Sequence, residues 1–260
     1  MSAARKLFVV GGSGFLGQAI CHNALARGWE VLSLSRHGAP SKILARDGSG
    51  KPSADRVKWI QGDALEPESF REHLAGCTAV VHTVGVLMEN NYKRMVSMGS
   101  PSTSSHGSAA TYERANRDTA LSVARTAREV QGLDTFVYIS ASDVLPLVSS
   151  RYISTKREAE NELLAHKERM RPIILRPGFM FSSDRPVSLP IAAGVSLFNT
   201  LYHRTPAGCL LKHTPFAKAA SPALRREVVA SAVINAIDDS RISGILEIAD
   251  IERIGNTKVP

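Results

Sequence analysis

Short runs of apolar residues alternate, over the first two thirds of the chain, with longer stretches in which apolar residues recur at helical spacing. The short runs predict buried strands, and the longer amphipathic stretches predict helices. The predicted strands are Leu7–Val10, Val31–Leu34, Val57–Ile60, Ala79–Thr83, Phe136–Ser140 and Ile173–Leu175. The predicted helical segments are Phe15–Arg27, Pro67–Leu74, Ala109–Val130 and Tyr152–Met170. This alternation predicts an α/β fold built on a doubly wound parallel sheet.

The pattern weakens in the last third of the chain. The elements predicted there are the helices Ile191–Tyr202 and Pro222–Ile237 and the strand Ile245–Ile248. Two segments rich in Gly, Pro, Ser and Thr, Gly38–Arg56 and Met98–Ser108, predict loops between core elements. We therefore expect a core over residues 1–178 and a small C-terminal lobe of the same domain over residues 179–260. Such a lobe would cover the carboxyl edge of the sheet, where substrates bind in folds of this kind.

The composition is that of an ordinary globular protein, with 43% hydrophobic and 22% charged residues. The three cysteines, Cys21, Cys77 and Cys209, are odd in number and widely spaced, so we expect neither a disulfide framework nor a metal site. No apolar run reaches the roughly 18 to 20 residues that cross a bilayer. These features predict a soluble or peripheral protein of a reducing compartment, without a metal.

The net charge of +8 is compatible with a nucleic-acid partner, an anionic membrane surface or a basic compartment such as the mitochondrial matrix. Nucleic acid is the weakest of the three, because no basic stripe is interleaved with stacking aromatic residues. Acidic residues are absent between Asp184 and Glu227. That stretch carries the cations Arg185, Arg204, Lys212, Lys218, Arg225 and Arg226. It predicts contact with an anionic membrane or a lipid-like substrate, the alternative being an ordinary lid with solvated charges.

A glycine-rich segment follows the first predicted strand and opens the first predicted helix. Its glycines have the spacing G-x-x-G-x-x-G, which allows a tight turn, close backbone approach to a pyrophosphate and close packing of the helix. The segment therefore predicts a dinucleotide site on a Rossmann sheet, the alternative being a plain glycine turn. Its predicted cofactor-binding residues are Gly11, Ser13, Gly14, Phe15, Leu16 and Gly17.

The residues after the second and third strands bear on which dinucleotide binds. An NAD-selective site carries an acid at the end of the second strand, whereas this chain has Ser35 and Arg36. A guanidinium can grip a 2′-phosphate, so NADP(H) is favoured over NAD(H), unless Arg36 is an ordinary surface cation. Asp63, followed by Ala64, could accept a hydrogen bond from the adenine amino group or merely cap the next turn.

A tyrosine and a lysine, Tyr152 and Lys156, lie four residues apart on a predicted helix and so on one face. An ammonium beside a phenol favours the phenolate, which allows proton exchange with an alcohol or a carbonyl. A hydroxyl to orient the substrate could come from Ser140, which we prefer, or from Ser142. Alternatively, Lys156 only binds the cofactor ribose and Tyr152 packs beside it.

With these motifs assembled, the chain resembles the atypical short-chain dehydrogenase/reductase family up to about Ile248. The segment Val80–Gly85 looks like the family's fourth-strand segment beside the cofactor ribose, with Asn116 on the following helix. The segment Leu175–Phe179 looks like its sixth-strand segment, whose backbone lies near the nicotinamide. The resemblance thus adds four residues to the predicted cofactor site: Thr83, Val84, Gly85 and Pro177.

Within that family, the segments Gly11–Gly17, Val81–Asn90, Tyr152–Glu160 and Arg171–Phe181 look like those of fungal mitochondrial members associated with coenzyme Q (ubiquinone) biosynthesis. That likeness implies a peripheral protein on the matrix face of the inner membrane, working with the proteins of the coenzyme Q synthesis complex. The chain is also similar to the accessory subunit of respiratory complex I that holds NADPH without known turnover, and this likeness implies a cofactor that serves structure.

Three functions follow as hypotheses. The first is an NADP(H)-dependent oxidoreductase acting on a hydrophobic carbonyl or quinone-type substrate. The second is a catalytically silent, cofactor-bound scaffold or regulator of the coenzyme Q synthesis complex. The third, an epimerase or dehydratase of a nucleotide sugar, is disfavoured by the small C-terminal lobe and by Arg36.

Overall fold

Seven parallel strands form one twisted sheet in a computed structural model that describes residues 5–40, 56–85, 113–143, 150–183, 199–200 and 221–257. The strands of this sheet are β1 (Lys6–Val10), β2 (Glu30–Ser35), β3 (Val57–Gln61), β4 (Ala79–His82), β5 (Thr135–Ile139), β6 (Arg171–Leu175) and β9 (Gly244–Leu246). Their spatial order is β3-β2-β1-β4-β5-β6-β9. Two further short strands, β7 (Met180–Phe181) and β8 (Leu224–Arg225), pair with each other. The predicted α/β class with a doubly wound parallel sheet is confirmed.

Five α-helices accompany the sheet in the described part of the chain. They are α1 (Phe15–Ala26), α2 (Thr119–Arg128), α3 (Ser150–Ala165), α4 (Arg226–Asp238) and α5 (Ile248–Asn256). A π-helical turn, Glu113–Asp118, leads directly into α2. None of the helices among these residues is both long enough and apolar enough to cross a membrane.

The sheet has an apolar layer on each face, because its strands are buried on both sides. Leu7 and Val9 of β1 belong to the cluster formed with α1, α4 and α5. Phe8 and Val10, which point the other way, belong to the cluster formed with α2 and α3. Alternate residues of one strand therefore serve opposite faces, as a doubly wound sheet requires. Because β1, β2 and β4 are parallel neighbours, their carboxyl ends lie side by side at one edge of the sheet.

Several elements differ from the sequence-based expectation for local reasons. The predicted helical segment Pro67–Leu74 is two 3₁₀ turns, Pro67–Ser69 and Arg71–Leu74, because Phe70 between them has a φ of −143°, which is outside the helical range. The helix expected over Tyr152–Met170 ends at Ala165, and hydrogen-bonded turns follow it. Within Pro222–Ile237 the first residues are extended, since Leu224 and Arg225 pair with β7.

The end of the chain holds one helix that the hydrophobic pattern did not predict. The strand expected over Ile245–Ile248 stops at Leu246, because Glu247 caps α5. The cap is reciprocal: the side chains of Glu247 and Asp250 each bind the other residue's backbone N–H. Three expected segments lie wholly or mostly outside the described residues. They are the loop Met98–Ser108, the helix Ile191–Tyr202 except for residues 199–200, and most of the loop Gly38–Arg56.

Candidate functional site

The turn between β1 and α1 is shaped by its glycines. Gly11 has a φ of +85°, which is costly for other residues, and its N–H donates to the carbonyl of Leu34 at 2.8 Å. A Cβ at Gly17 would lie 2.2 Å from the Gly11 carbonyl oxygen, so only glycine lets α1 pack this closely on the turn. Gly14 is exposed at the N-cap of α1 and supplies no side-chain cap. The first N–H groups of α1 are thus suited to an anionic ligand.

The other predicted residues of this turn lie around those N–H groups. Ser13 and Phe15 are half-buried, whereas Leu16 and Gly17 are buried against the core. The side chain of Phe15 contacts an arginine from the other end of the chain, since the Arg226 guanidinium lies 5.2 Å from its ring centroid. The turn therefore combines an exposed backbone with side chains that are held in place.

The end of β4 lies directly against the glycine turn. The Thr83 hydroxyl oxygen is 2.9 Å from the Val10 carbonyl and 3.1 Å from the Gly11 carbonyl. Gly85, two residues further, is also tightly packed: a Cβ there would lie 3.0 Å from Asn116 Oδ1 and 3.1 Å from Lys156 Nζ. The backbone of Thr83, Val84 and Gly85 thus joins the turn to Lys156.

The strand ends that bear on cofactor choice, those of β2 and β3, present the predicted residues differently. The Ser35 hydroxyl donates to the Gly38 carbonyl at 2.5 Å. Arg36 is exposed and makes no hydrogen bond or ion pair within the described part of the chain. Asp63 Oδ1 accepts the N–H of Leu65 at 2.9 Å, so its side chain caps the turn, and Ala64 beside it is buried. The adenine contact of Asp63 stays a prediction.

Lys156 is buried in the middle of the sheet's carboxyl edge. Its Nζ donates to the Ile139 carbonyl at 2.9 Å and lies 4.6 Å from the ring centroid of Tyr138. Burial lowers the pKa of Lys156 to about 7, and the nearby Glu160 carboxylate acts in the opposite direction. Tyr152, one helical turn earlier, is also buried on this face of α3.

The two candidate serines after β5 have different partners. The Ser140 hydroxyl donates to the Glu160 carboxylate, and its N–H donates to the Leu175 carbonyl at 2.8 Å. The Ser142 N–H donates to the carbonyl of Pro177 at 3.0 Å, and its hydroxyl has no hydrogen bond to the described residues. Because Ser140 directs its proton to Glu160, Ser142 is the better placed of the two to offer a hydroxyl to a ligand.

Glu160 is the centre of an ionic network that sequence reasoning missed. Its carboxylate is only 1% exposed and pairs with the guanidinium groups of Arg157 and Arg176. Arg176 also pairs with Glu247 at 2.7 Å, which connects α3 and β6 to the cap of α5. A signal was present, because Glu160 continues the four-residue spacing of Tyr152 and Lys156 along one helical face.

A second buried polar group, also missed, lies beside Lys156. The Tyr138 hydroxyl donates to the Asn116 carbonyl at 2.6 Å, and the ring of His82 lies 5.8 Å from that of Tyr138. His82 Nε2 is 3.2 Å from the Thr119 hydroxyl. Burial and the charge of Lys156 lower the pKa of His82 to about 3, so this imidazole is neutral at physiological pH.

One cation expected at a membrane surface is not available to it. Arg226 is 4% exposed, because its guanidinium lies over Phe15 and pairs with Glu227 at 2.8 Å. The expectation for Arg226 is therefore wrong, whereas Arg225 is exposed. The other four cations of that stretch lie outside the described residues. Among the residues that the structure describes, no cluster of His, Cys, Asp or Glu is suited to hold a metal ion.

Curated relatives support an assignment to a family. The chain is 38% identical over 208 residues to MIOREX complex component 2 of Saccharomyces cerevisiae, covering 69% of this chain and 74% of that protein. It is 27% identical over 205 residues to the 4-hydroxy-2-methyl-3-oxo-4-farnesyl-3,4-dihydroquinoline-1-oxide ketoreductase of Stigmatella aurantiaca, covering 71% of this chain and 53% of that enzyme.

Solved structures share the fold. An oxidoreductase of the short-chain dehydrogenase/reductase family from Burkholderia thailandensis superposes with a TM-score of 0.61 at 16% identity, covering 95% of this chain and 92% of that one.

A family model also matches most of the chain. The model of the NAD dependent epimerase/dehydratase family matches residues 7–188, which include the glycine turn, Tyr152 and Lys156. The resemblance to atypical short-chain dehydrogenases/reductases is thereby confirmed, and the chain belongs to the NAD dependent epimerase/dehydratase family.

Proposed function

We propose that the chain binds NADP(H) in preference to NAD(H) and acts as an oxidoreductase on a hydrophobic carbonyl or quinone-type compound. The observation that carries this proposal is the arrangement around Lys156. A buried ammonium is fixed by the Ile139 carbonyl and the Tyr138 ring, it borders Gly85, and Tyr152 lies one turn away on the same helix. A buried charge is costly unless it is paired and hydrogen-bonded, and a buried group whose pKa is shifted this far is a candidate for a functional site.

We assign the described residues to successive parts of a bound dinucleotide. The backbone N–H groups at the start of α1 would bind the pyrophosphate, and the close packing of Gly11 and Gly17 on their neighbours shapes the turn that presents these groups. Arg36 would hold the 2′-phosphate, since it is exposed and has no other partner in the described part of the chain. Ser35 would join it only by redirecting the hydroxyl that donates to the Gly38 carbonyl. The remaining contacts are assigned to Asp63 and Ala64 for adenine, to Thr83, Val84, Gly85 and Lys156 for the ribose, and to Pro177 for the nicotinamide.

In this assignment the bound cofactor supplies or accepts a hydride. Tyr152 exchanges a proton with the oxygen of the substrate, and the Lys156 ammonium favours the phenolate that the exchange requires. A serine hydroxyl orients the same oxygen. Ser140 was preferred on sequence, but its hydrogen bond to Glu160 favours Ser142 for this role.

The substrate class is supported by one relative's name. The enzyme of Stigmatella aurantiaca is a ketoreductase whose named substrate carries a farnesyl group on a ring with an oxo group. A prenylated ring carbonyl is also the chemistry of quinone precursors. We therefore propose that the chain acts in mitochondrial ubiquinone biosynthesis, as its resemblance to coenzyme Q-associated members implies. The proposed location is the matrix face of the inner membrane.

The alternative is a cofactor-bound scaffold or regulator without turnover, with the proteins of the coenzyme Q synthesis complex as partners. One relative is named as a component of a complex, which supports membership in an assembly. The engagement of the Ser140 hydroxyl by Glu160 also favours this alternative, because it removes one hydroxyl from the candidate catalytic set.

The test begins with mass spectrometry of the nucleotide that copurifies with the full chain, followed by fluorescence titration with NADPH and NADH. Retained NADP(H) and tighter binding of NADPH support the cofactor assignment, and absence of binding by either contradicts it. Turnover of prenylated quinone precursors with NADPH is then compared between the wild type and Tyr152→Phe. Loss of turnover with unchanged NADPH affinity supports the enzyme. A wild type that binds NADPH and turns over none of these compounds supports the scaffold.

Membrane contact is tested separately, by sedimentation with cardiolipin-containing vesicles. Arg225→Glu reverses an exposed cation of the proposed surface, whereas Arg125→Glu reverses an exposed cation on the opposite layer, in α2. Weaker sedimentation of the first variant alone supports a membrane-facing C-terminal region. Equal sedimentation of both variants and the wild type contradicts it.

A further inference from the structure

Tyr138 is the largest side chain that the described fold buries completely, and three polar groups surround it. Its hydroxyl donates to the Asn116 carbonyl at 2.6 Å, its ring faces Lys156 Nζ at 4.6 Å, and the His82 ring lies beside it. Burial raises the pKa of the Tyr138 phenol well above 10, so the hydroxyl remains a hydrogen-bond donor at all physiological pH values. This residue connects β5 to both the π-helical turn and α3.

The π-helical turn depends on hydrogen bonds from side chains. In a π-helical turn some backbone carbonyls lose their α-helical hydrogen bonds. A buried carbonyl of this kind is costly unless another group donates a hydrogen bond to it. The Thr119 hydroxyl donates to the Ala115 carbonyl at 2.9 Å, and the Tyr138 hydroxyl binds the next carbonyl, that of Asn116. Two consecutive carbonyls of the turn are therefore held by side-chain hydroxyls.

The turn places the Asn116 side chain next to Lys156. A Cβ built on Gly85 would lie 3.0 Å from Asn116 Oδ1 and 3.1 Å from Lys156 Nζ, so the amide and the ammonium both lie against this glycine. The ammonium has three N–H donors, and the described residues take one of them, at the Ile139 carbonyl. The other two remain for a ligand beside Gly85.

We infer that Tyr138 is a positioning residue, which places the Lys156 ammonium and the Asn116 side chain together for the ribose of the dinucleotide. The face of its ring makes a cation–π contact with the ammonium. Its hydroxyl binds the carbonyl of Asn116 and so fixes the turn that carries this residue. The inference rests on the proposed function, because Lys156 and Asn116 matter here as part of the cofactor site. Tyr138 itself touches neither cofactor nor substrate in this role.

The test is Tyr138→Phe in the full chain, with NADPH affinity from fluorescence titration and Tm from thermal unfolding. The variant keeps the ring under Lys156 but leaves the Asn116 carbonyl without its donor, so NADPH should bind roughly tenfold more weakly. Thr119→Val removes the hydroxyl that binds the Ala115 carbonyl and contacts His82 Nε2, and it leaves the contacts of Lys156 in place. It should weaken binding in the same direction. It also provides the test if Tyr138→Phe does not fold.

Phe136→Leu is the matched control, because Phe136 is buried on the same face of β5 but two residues away from the site. It should lower Tm and leave NADPH affinity unchanged. Unchanged affinity in both Tyr138→Phe and Thr119→Val, with a wild type that binds NADPH, overturns the positioning role alone. A wild type that binds neither NADPH nor NADH overturns the proposed function and this inference together.

Discussion

Lys156 has a charge state that a bound cofactor would change. Burial holds its pKa at about 7 in the free protein, so the amine is partly neutral at physiological pH. Ribose hydroxyls that accept hydrogen bonds from the ammonium favour the charged form. The pKa of Lys156 should therefore be higher in the complex than in the free protein, and binding should take up a proton above pH 7.

We accordingly expect dinucleotide affinity to fall as the pH rises from 7 to 9. NADH is the better ligand for this measurement, because the extra phosphate of NADPH titrates near pH 6, as phosphate monoesters do. Titration calorimetry in buffers of different ionisation enthalpy counts the protons directly. Lys156→Met should bind more weakly, with an affinity that no longer depends on pH in this range. A wild-type affinity that is constant from pH 7 to 9 would contradict the ribose contact of Lys156.

Arg36 determines the choice of cofactor if the 2′-phosphate assignment is right. Arg36→Ala should weaken NADPH binding by roughly 10- to 100-fold, the value of a charge-assisted hydrogen bond, and leave NADH binding nearly unchanged. Fluorescence titration with both nucleotides measures the ratio. Arg125→Ala removes an exposed arginine of α2, a helix that supplies none of the proposed cofactor contacts, and should change neither affinity. If Arg36→Ala weakens both nucleotides equally, Arg36 does not recognise the phosphate.

At the scale of one element, helix α3 carries a row of buried functional groups at four-residue spacing: Tyr152, Lys156 and Glu160. Glu160 joins this helix to the ends of β5 and β6 through Ser140 and Arg176. The positions of Tyr152 and Lys156 relative to the sheet therefore depend on an ion pair that contacts neither of their proposed ligands.

Glu160→Gln should lower the free energy of unfolding by about 3 kcal/mol, because it removes the buried carboxylate that two partly buried guanidinium groups share. Among the described residues, Arg176 then keeps only its exposed partner Glu247. Urea denaturation at pH 7 measures the change. Glu158→Gln, on the exposed side of the same helix, is the matched control. It removes an exposed pair with Arg117 and should cost less than about 1 kcal/mol. Similar losses in the two variants would show that the network of Glu160 contributes no more than a surface pair.

The elements of this fold differ in how far the sequence reveals them. Strands β1, β4 and β5 are mostly continuous apolar runs, so their pattern predicts them to within two residues. Strand β2 is predicted as closely, although Ser33 interrupts its apolar residues. The π-helical turn was read as part of a long α-helix, since side-chain hydrogen bonds from other elements decide its geometry. Helix α5 was missed because its apolar residues, Ile248, Ile251 and Ile254, fill only one narrow face of a short segment.

The candidate site was predictable in the same uneven way. The glycine turn and the Tyr152–Lys156 pair are local motifs, so spacing identifies them. The contacts of Ser140, Asp63 and Arg226 are set by residues distant in sequence or by turn geometry, which spacing does not contain. Arg226 in particular looks like a surface cation beside Arg225, and only the position of Phe15 explains its burial.

For the whole molecule, occupancy of the proposed site should appear as stability. NADPH at 100 times its dissociation constant should raise the free energy of unfolding by about 2.7 kcal/mol, if it binds the folded state only. Gly14→Asp should abolish this gain, because a carboxylate at the start of α1 repels the pyrophosphate. The free variant should be about as stable as the wild type. Gly14 has an extended backbone and aspartate is a good N-cap, which offsets the tight contact of 3.1 Å between the new Cβ and the Gly11 carbonyl oxygen.

Thermal unfolding with and without NADPH separates the two effects. Gly14→Asn is the matched control, because it offers a similar cap without the charge and should keep more of the ligand-induced rise in Tm. If Gly14→Asp still shows the full rise, the dinucleotide phosphates are bound elsewhere. If its free form unfolds at a much lower temperature, the glycine is required by packing and not by the ligand.

The stacking of Arg226 on Phe15 has a consequence for how the chain can be divided. The first residue of α4 covers the first residue of α1, and α4 then packs along α1 within the same apolar layer. A fragment that ends at residue 178 would thus lose the arginine that covers Phe15 beside the glycine turn. Exchanging C-terminal segments among relatives would therefore alter the proposed cofactor site as well as the proposed substrate side. Positions 15 and 226 should therefore change together when this sequence is compared with its relatives.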